Sequence, residues 1–349
     1  MNVLMMTDKL VTGGAESYFC KLENTLSHPD LHIYTAAATG DLVSKLKHKH
    51  NYTEISRKNH LDNIRKIKRT IIKQKIDVIH ANSLRMALYA IAIRRTSQIP
   101  FKIIYTKHNQ TVLESKGPLF VYLMNRYIDQ IIAVSQYEKD KLISLGVQAK
   151  KIQTIYNGVD LEQFRFQTKE KGEAFHVGIL ARLSEEKNHT LFLEIANKLK
   201  AMPSLTFHIA GEGPENEKIA NKISSLGLSH KVKMIGAVNQ PERFIKEMDL
   251  LLLTSHTEVF PMVILEAMAV GTPVISIDRG GIKEAIQHEE TGYLIPDHQV
   301  EAYCEKIVTL QLHRHLTENF VHNGRIRVEE NFTVNKMIDR TLEEYLKCI

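Results

Sequence analysis

The chain has 349 residues and a mass of 39.9 kDa, which at roughly 150 residues per domain gives about two domains. A hydrophobic fraction of 43% and a charged fraction of 25% exclude disordered, collagen-like and fibrous chains. The net charge of +6 is unevenly split: residues 1–165 hold 25 Lys+Arg against 14 Asp+Glu, or +11, and the remainder 21 against 26, or −5.

The opening run Met1-Asn2-Val3-Leu4-Met5-Met6-Thr7-Asp8 is too short, and meets an acid too early, for a secretory signal. It reads instead as a first strand, Val3 to Met6, followed by Thr12-Gly13-Gly14-Ala15-Glu16 at the start of a helical pattern. Two glycines there let backbone approach a ligand closely and leave amides for an anion, although a plain tight turn uses the same residues. After a strand at His32 to Ala37 comes a dense basic stretch, Arg57, Lys58, Arg65, Lys66, Lys68, Arg69, Lys73 and Lys75, with Leu61, Ile64, Ile67, Ile71 and Ile72 at helical spacing. It predicts an amphipathic helix, either packed on a sheet with a solvated basic face or facing an anionic partner. No helix-turn-helix, finger or aromatic RNA motif accompanies it, so a lipid surface ranks above nucleic acid.

Further strands are expected at Asp77 to His80, Ile103 to Thr106, Gln130 to Val134 and Gln153 to Tyr156. Asn157-Gly158-Val159-Asp160 reads as a turn and 166–173 as polar, which places a linker near 160–174 and ends a first domain at 165. Strands at His176 to Leu180, Thr206 to Ala210, Lys233 to Ile235, Leu250 to Thr254 and Val274 to Ile277 build a second domain over 166–332. Residues 333–349, with Met337, Ile338, Leu342, Tyr345 and Leu346 at helical spacing, form a last helix that packs on either domain, a return to the first included. Strands alternating with helices in both halves predict two Rossmann-like, doubly wound α/β domains facing each other across a cleft at the carboxyl ends of their strands. The longest apolar runs fall far short of the roughly 20 residues of a membrane span. Cys20, Cys304 and Cys348 show neither metal nor redox spacing, which suits a reducing compartment.

Arg182 is expected just past a strand and Lys187 just before a helix, a pair that suits a diphosphate, since arginine forks onto two oxygens and lysine adds a point charge. Solvated loop residues paired with Glu185 and Glu186 are the alternative. Ala210-Gly211-Glu212-Gly213-Pro214 is a glycine turn that lets backbone pass under a flat base. In Glu258-Val259-Phe260-Pro261-Met262-Val263 a helix is expected to begin at Pro261 and to aim free amides at phosphate, with Glu266 inside it. Carboxylates at 258 and 266 can bind different parts of one ligand, each accepting from a diol. Asp278-Arg279-Gly280-Gly281 adds a further glycine pair, and there is no Asp-x-Asp pattern for a metal.

These motifs, taken in order with Asn157-Gly158-Val159-Asp160 between them, resemble the retaining glycosyltransferases of family 4, which have the GT-B fold, over nearly the whole chain. The resemblance implies that Arg182 and Lys187 hold a donor diphosphate, helped by the amides of the helix at Pro261 and by Gly13 and Gly14. It implies that Glu266 binds ribose, that Glu258 with the backbone of Phe260, Pro261, Met262 and Val263 contacts the donor sugar, and that Gly211 and Glu212 belong to the donor site. His108, in Tyr105-Thr106-Lys107-His108, matches a family histidine near donor sugar and acceptor. The implied reaction is retaining transfer from a nucleotide sugar, UDP-linked in preference to GDP-mannose, to a lipid-linked saccharide for cell-surface polysaccharide. It would run without metal or cofactor at the inner face of the cytoplasmic membrane, whose anionic surface meets the basic first domain. Ser17 after Glu16, and Asn109-Gln110 after His108, depart from the family pattern on the acceptor side. A soluble small-molecule acceptor, a GT-B epimerase or phosphorylase, and an inactive nucleotide-sugar-binding scaffold are the rival readings.

Overall fold

The computed structural model describes residues 1–348 except Thr12, Gln110, Val112, Ser115, Lys116, Glu170 and Lys171. Thr12 of the first glycine motif, Gln110 after His108, and two residues of the expected linker thus lie outside the described residues. The chain forms two compact units: Met1–Gly158 with Val334–Ile349, and Val159–Thr333. The first unit ends at 158 rather than 165, because the residues that follow are already fastened to the second. Val159 donates to Phe332 O at 2.8 Å and bridges Thr333, and Phe164 is buried. Nor is 160–174 a free tether, since Lys169 Nζ lies 2.8 Å from Asp249.

In the first unit, β1 (Asn2–Lys9), β2 (His32–Ala38), β3 (Tyr52–Glu54), β4 (Val78–Ala81), β5 (Lys102–Lys107), β6 (Gln130–Ala133) and β7 (Ile152–Thr154) form one sheet in the order β3-β2-β1-β4-β5-β6-β7. Every pairing is parallel. Alternation sends Leu4 and Met6 to one face of β1 and Val3 and Met5 to the other. Both faces are covered, so the strand reads as an unbroken apolar run. Over the first face the basic stretch folds as the helix His60–Gln74, started by Asn59, whose side chain accepts from Asp62 N–H. Ile67 and Ile71 enter the core, whereas Leu61 and Ile72 stay 71% and 57% exposed. The edge strand β3 is absent from the sequence reading.

The second face is closed by the C-terminal helix Val334–Leu346 through Met337, Ile338 and Tyr345; Leu346 falls outside that buried stripe. Tyr345 also delivers a hydroxyl to the sheet interior. His80 Nδ1 lies 2.5 Å from Tyr345 Oη, and His80 Nε2 lies 2.6 Å from Thr106 Oγ1. Burial, helped by the nearby His108, lowers the His80 pKa to about 3, so both contacts are those of a neutral ring.

In the second unit, β8 (Phe175–Leu180), β9 (Leu205–Ala210), β10 (Val232–Gly236), β11 (Leu250–Leu253), β12 (Val274–Ile277) and β13 (Tyr293–Ile295) run parallel in the order β10-β9-β8-β11-β12-β13. β13 is the second strand missing from the sequence reading. Strand order reverses between β1 and β4 in one sheet and between β8 and β11 in the other, and ligands of such sheets bind outside the carboxyl ends at that reversal. The charge split follows the units, with 27 Lys+Arg against 15 Asp+Glu in the first and 19 against 25 in the second. Among the described residues no helix is long and apolar enough to cross a membrane.

Removing the Tyr345 hydroxyl leaves a buried ring nitrogen without its partner, which costs about 1–3 kcal/mol. Tyr345→Phe is therefore expected to lower the urea midpoint of the full chain, and an unchanged midpoint would show that this contact does not fasten the helix.

Candidate functional site

Two loops leave the second sheet at its reversal, one after β8 and one after β11, and side chains lock them together. Lys187 Nζ donates to Glu258 Oε1 at 2.6 Å, and Ser255 Oγ donates to the same oxygen at 2.8 Å. Thr254 Oγ1 donates to the carbonyls of Lys187 and Asn188 at 3.0 and 3.1 Å, and His256 N–H to Glu186 O at 2.8 Å. Lys187 is thus paired with Glu258, not with Glu185 or Glu186 as the solvated-loop alternative has it. Glu186 accepts from Ser184 Oγ at 2.6 Å instead. Arg182 is exposed and, among the described residues, its side chain makes no hydrogen bond or ion pair.

Glycines bring the neighbouring turns into backbone contact with these loops. Gly211 has φ +137°, and a Cβ there would lie 1.9 Å from Ala181 O. Leu183 N–H donates to Glu212 O at 3.0 Å, so the Gly211-Glu212-Gly213 turn braces the segment that carries Arg182. Gly280, at φ +64°, would put a Cβ 1.7 Å from Glu258 O. Only glycine combines that conformation with so close a neighbour.

The helix after β11 begins at Met262, one residue later than expected, with Pro261 as its N-cap and no side-chain cap. The amides of Met262 and Val263 have no acceptor among the described residues, which leaves an uncapped helix start beside Glu258. Glu266 lies on the second turn, half-buried and partnered. The Phe260 side chain packs in the core, buried with its ring centroid 5.5 Å from that of Phe332, which leaves its backbone as the part that can face a ligand. Arg182, Lys187, Gly211, Glu212, Glu258, Met262, Val263 and Glu266 are therefore grouped on the carboxyl edge of one sheet. Cations and amides there can hold a diphosphate, and two carboxylates can accept hydroxyls.

The remaining expected residues belong to the first unit. Gly13 is the N-cap of the helix Gly14–Thr25, and the Glu16 carboxylate folds back over it, 2.5 Å from where a Cβ would be. His108 follows β5, with its Nε2 3.2 Å from Asn82 Oδ1 and its ring edge-on to Tyr18 at 4.6 Å. Burial and the adjacent Lys107 lower its pKa to about 3, so it is neutral at neutral pH and no store of a proton for acid catalysis. Lys107 is fully buried, 2.7 Å from Glu138 and 3.0 Å from Glu114. Sequence reasoning also gave no role to Ser255, Thr254, Asn82 or Tyr18. Thr254 ends an expected strand and Ser255 lies between it and the Glu258 motif, whereas Asn82 and Tyr18 carry no local signal.

The N-acetyl-alpha-D-glucosaminyl L-malate synthase of Bacillus anthracis is 28% identical over 77% of this chain and 74% of its own length. The UDP-Gal:alpha-D-GlcNAc-diphosphoundecaprenol alpha-1,3-galactosyltransferase of Escherichia coli is 25% identical over 79% and 77%. For other curated relatives that it matches, the chain spans only 62% or 52% of their length. Anabaena HepE, solved in complex with UDP and glucose, superposes with a TM-score of 0.88 at 22% identity, covering 99% of this chain and all of that one. The sequence model described as Glycosyltransferase Family 4 matches residues 12–163, and the one described as Glycosyl transferases group 1 matches 160–327. With both halves matched in order on two doubly wound domains, the chain belongs to the family 4 glycosyltransferases of GT-B fold.

Proposed function

We propose that the protein moves a hexosyl group from a nucleotide sugar, a UDP-sugar before GDP-mannose, to a lipid-linked saccharide in polysaccharide synthesis, with retention and without a divalent metal. The observation that carries this reading is the meeting of Arg182, Lys187 and the uncapped amides of Met262 and Val263 at the reversal point of the second sheet. Breaking the bond between the anomeric carbon and the diphosphate oxygen leaves negative charge on the diphosphate. Fixed cations and amides stabilise that charge more than the ground state, which is what speeds the step. The acceptor hydroxyl attacks the same face, and its proton passes to the departing phosphate oxygen. A diphosphate competes with Glu258 for Lys187, and Glu258 is then available to sugar hydroxyls. Glu266 takes the ribose diol. In the first unit, neutral His108 serves a substrate hydroxyl as a hydrogen-bond partner.

The lipid-linked acceptor rests on the first unit's surface. Arg57, Lys58, Arg65, Arg69, Lys73 and Lys75 are exposed and pair with no carboxylate among the described residues, and Leu61 and Ile72 protrude from the same helix. Each basic residue near an anionic bilayer contributes about 1 kcal/mol. The E. coli relative's name specifies a diphosphoundecaprenol acceptor, which supports an enzyme working at the cytoplasmic membrane face. The B. anthracis relative, named for L-malate, supports the second reading, a small soluble acceptor.

Lys187→Ala and Arg182→Ala are each expected to lower turnover of the accepted donor by roughly 10² to 10³, the usual loss for one charge-stabilising donor. Unchanged turnover in either folded variant contradicts the diphosphate assignment. At low salt the protein is expected to float with anionic but not with neutral vesicles, and Leu61→Glu with Ile72→Glu should weaken flotation. Equal behaviour toward both vesicles would favour the soluble acceptor.

A further inference from the structure

We infer that Asn82 is a positioning residue that holds His108 as the Nε2–H tautomer and so leaves Nδ1 as the ring's acceptor for a substrate hydroxyl. This rests on the reading that His108 meets substrate. Asn82 follows β4 and His108 follows β5, two neighbouring parallel strands, so their side chains stand side by side at the carboxyl edge near the reversal point. Asn82 is 4% exposed, and its own N–H donates to Met6 O at 2.8 Å, which fixes it to β1. Its side-chain oxygen lies 3.2 Å from His108 Nε2. An amide oxygen cannot donate, so the pair is a hydrogen bond only if Nε2 carries the proton. Nδ1 then holds the lone pair. Among the described residues it has no other partner. The Tyr18 ring, edge-on at 4.6 Å with an interplanar angle of 67°, packs against the imidazole and resists its rotation. With its pKa lowered to about 3, the ring keeps that lone pair at neutral pH. A neutral ring in the opposite tautomer would offer Nδ1 as a donor and could not accept from a substrate hydroxyl.

The test is the tautomer itself, read from two-bond proton–nitrogen correlation spectra of the full chain, with His108→Gln to assign the ring among 17 histidines. In the unmodified protein Nε2 is expected to bear the proton and Nδ1 to show the shift of an unprotonated nitrogen. In Asn82→Leu the two nitrogens should move toward a common average, and turnover should fall about tenfold, as for one lost hydrogen bond. Asn82→Asp keeps an acceptor and should keep the proton on Nε2. An unmoved tautomer in Asn82→Leu, or its loss in Asn82→Asp, overturns the inference. Scrambled nitrogens with full turnover would overturn instead the part given to His108 in the reaction, and with it any positioning role, whatever the arginine and lysine variants show.

Discussion

One ion pair governs the second unit. The loops after β8 and β11 leave adjacent strands and are held together where Lys187 meets Glu258 at 2.6 Å. Both side chains are mostly shielded, 24% and 11% exposed, so removing one would leave the other charged and poorly hydrated. Ser255 and Thr254 add hydrogen bonds on either side, which fixes the approach of one loop to the other within a narrow range. In the proposed reaction, that pre-organisation lets a cation stabilise charge as it develops, with no rearrangement at the moment of reaction. The glycines serve the same end. At 211 and 280 the backbone of a neighbouring turn comes so near the two loops that a methyl group would collide with a carbonyl.

The first unit answers a different demand. Its polar groups are held neutral or neutralised inside a close-packed sheet. His80 bridges two hydroxyls, one of them brought by the C-terminal helix, while Lys107 is compensated by Glu138 and Glu114. His108 sits directly after that buried lysine. Positive charge next to a shielded imidazole opposes protonation, so this arrangement yields a hydrogen-bonding ring and not an acid. The exterior is built otherwise: among the described residues Arg65, Arg69 and Lys73 pair with no carboxylate, and Leu61 and Ile72 protrude from the same helix.

Much of this was legible in the chain. The alternation of apolar runs and helical patterns gave both sheets, because a doubly covered parallel strand such as Leu250–Leu253 has no polar face to blur it. The grouping of Arg182, Lys187, Glu258 and Glu266 along one sheet edge was legible because these residues stand at short spacing around strand ends, as in Glu258 to Glu266. Strands β3 and β13 were not, since three residues show no period of their own; β7, equally short, was read only as part of the longer run Gln153 to Tyr156. The unit boundary was misplaced because Phe164 looks like part of a polar connector until Val159 is seen to bridge Thr333. Asn82 and Tyr18 act across strands and helices far apart in sequence, and the burial of Lys107 depends on carboxylates 7 and 31 residues away. Such pairings exist only once the chain has folded.

The proposed function makes the second unit a nucleoside-diphosphate site that uses side chains and amides instead of a metal. Thermal unfolding of the full chain with UDP, GDP or ADP, each with magnesium or with chelator, tests it most directly. A ligand at 100 times its Kd adds about 2.7 kcal/mol to the state that binds it. The account predicts a clear rise in Tm with UDP that survives chelation. No rise with any of the three nucleotides, or a rise that chelator abolishes, would contradict it.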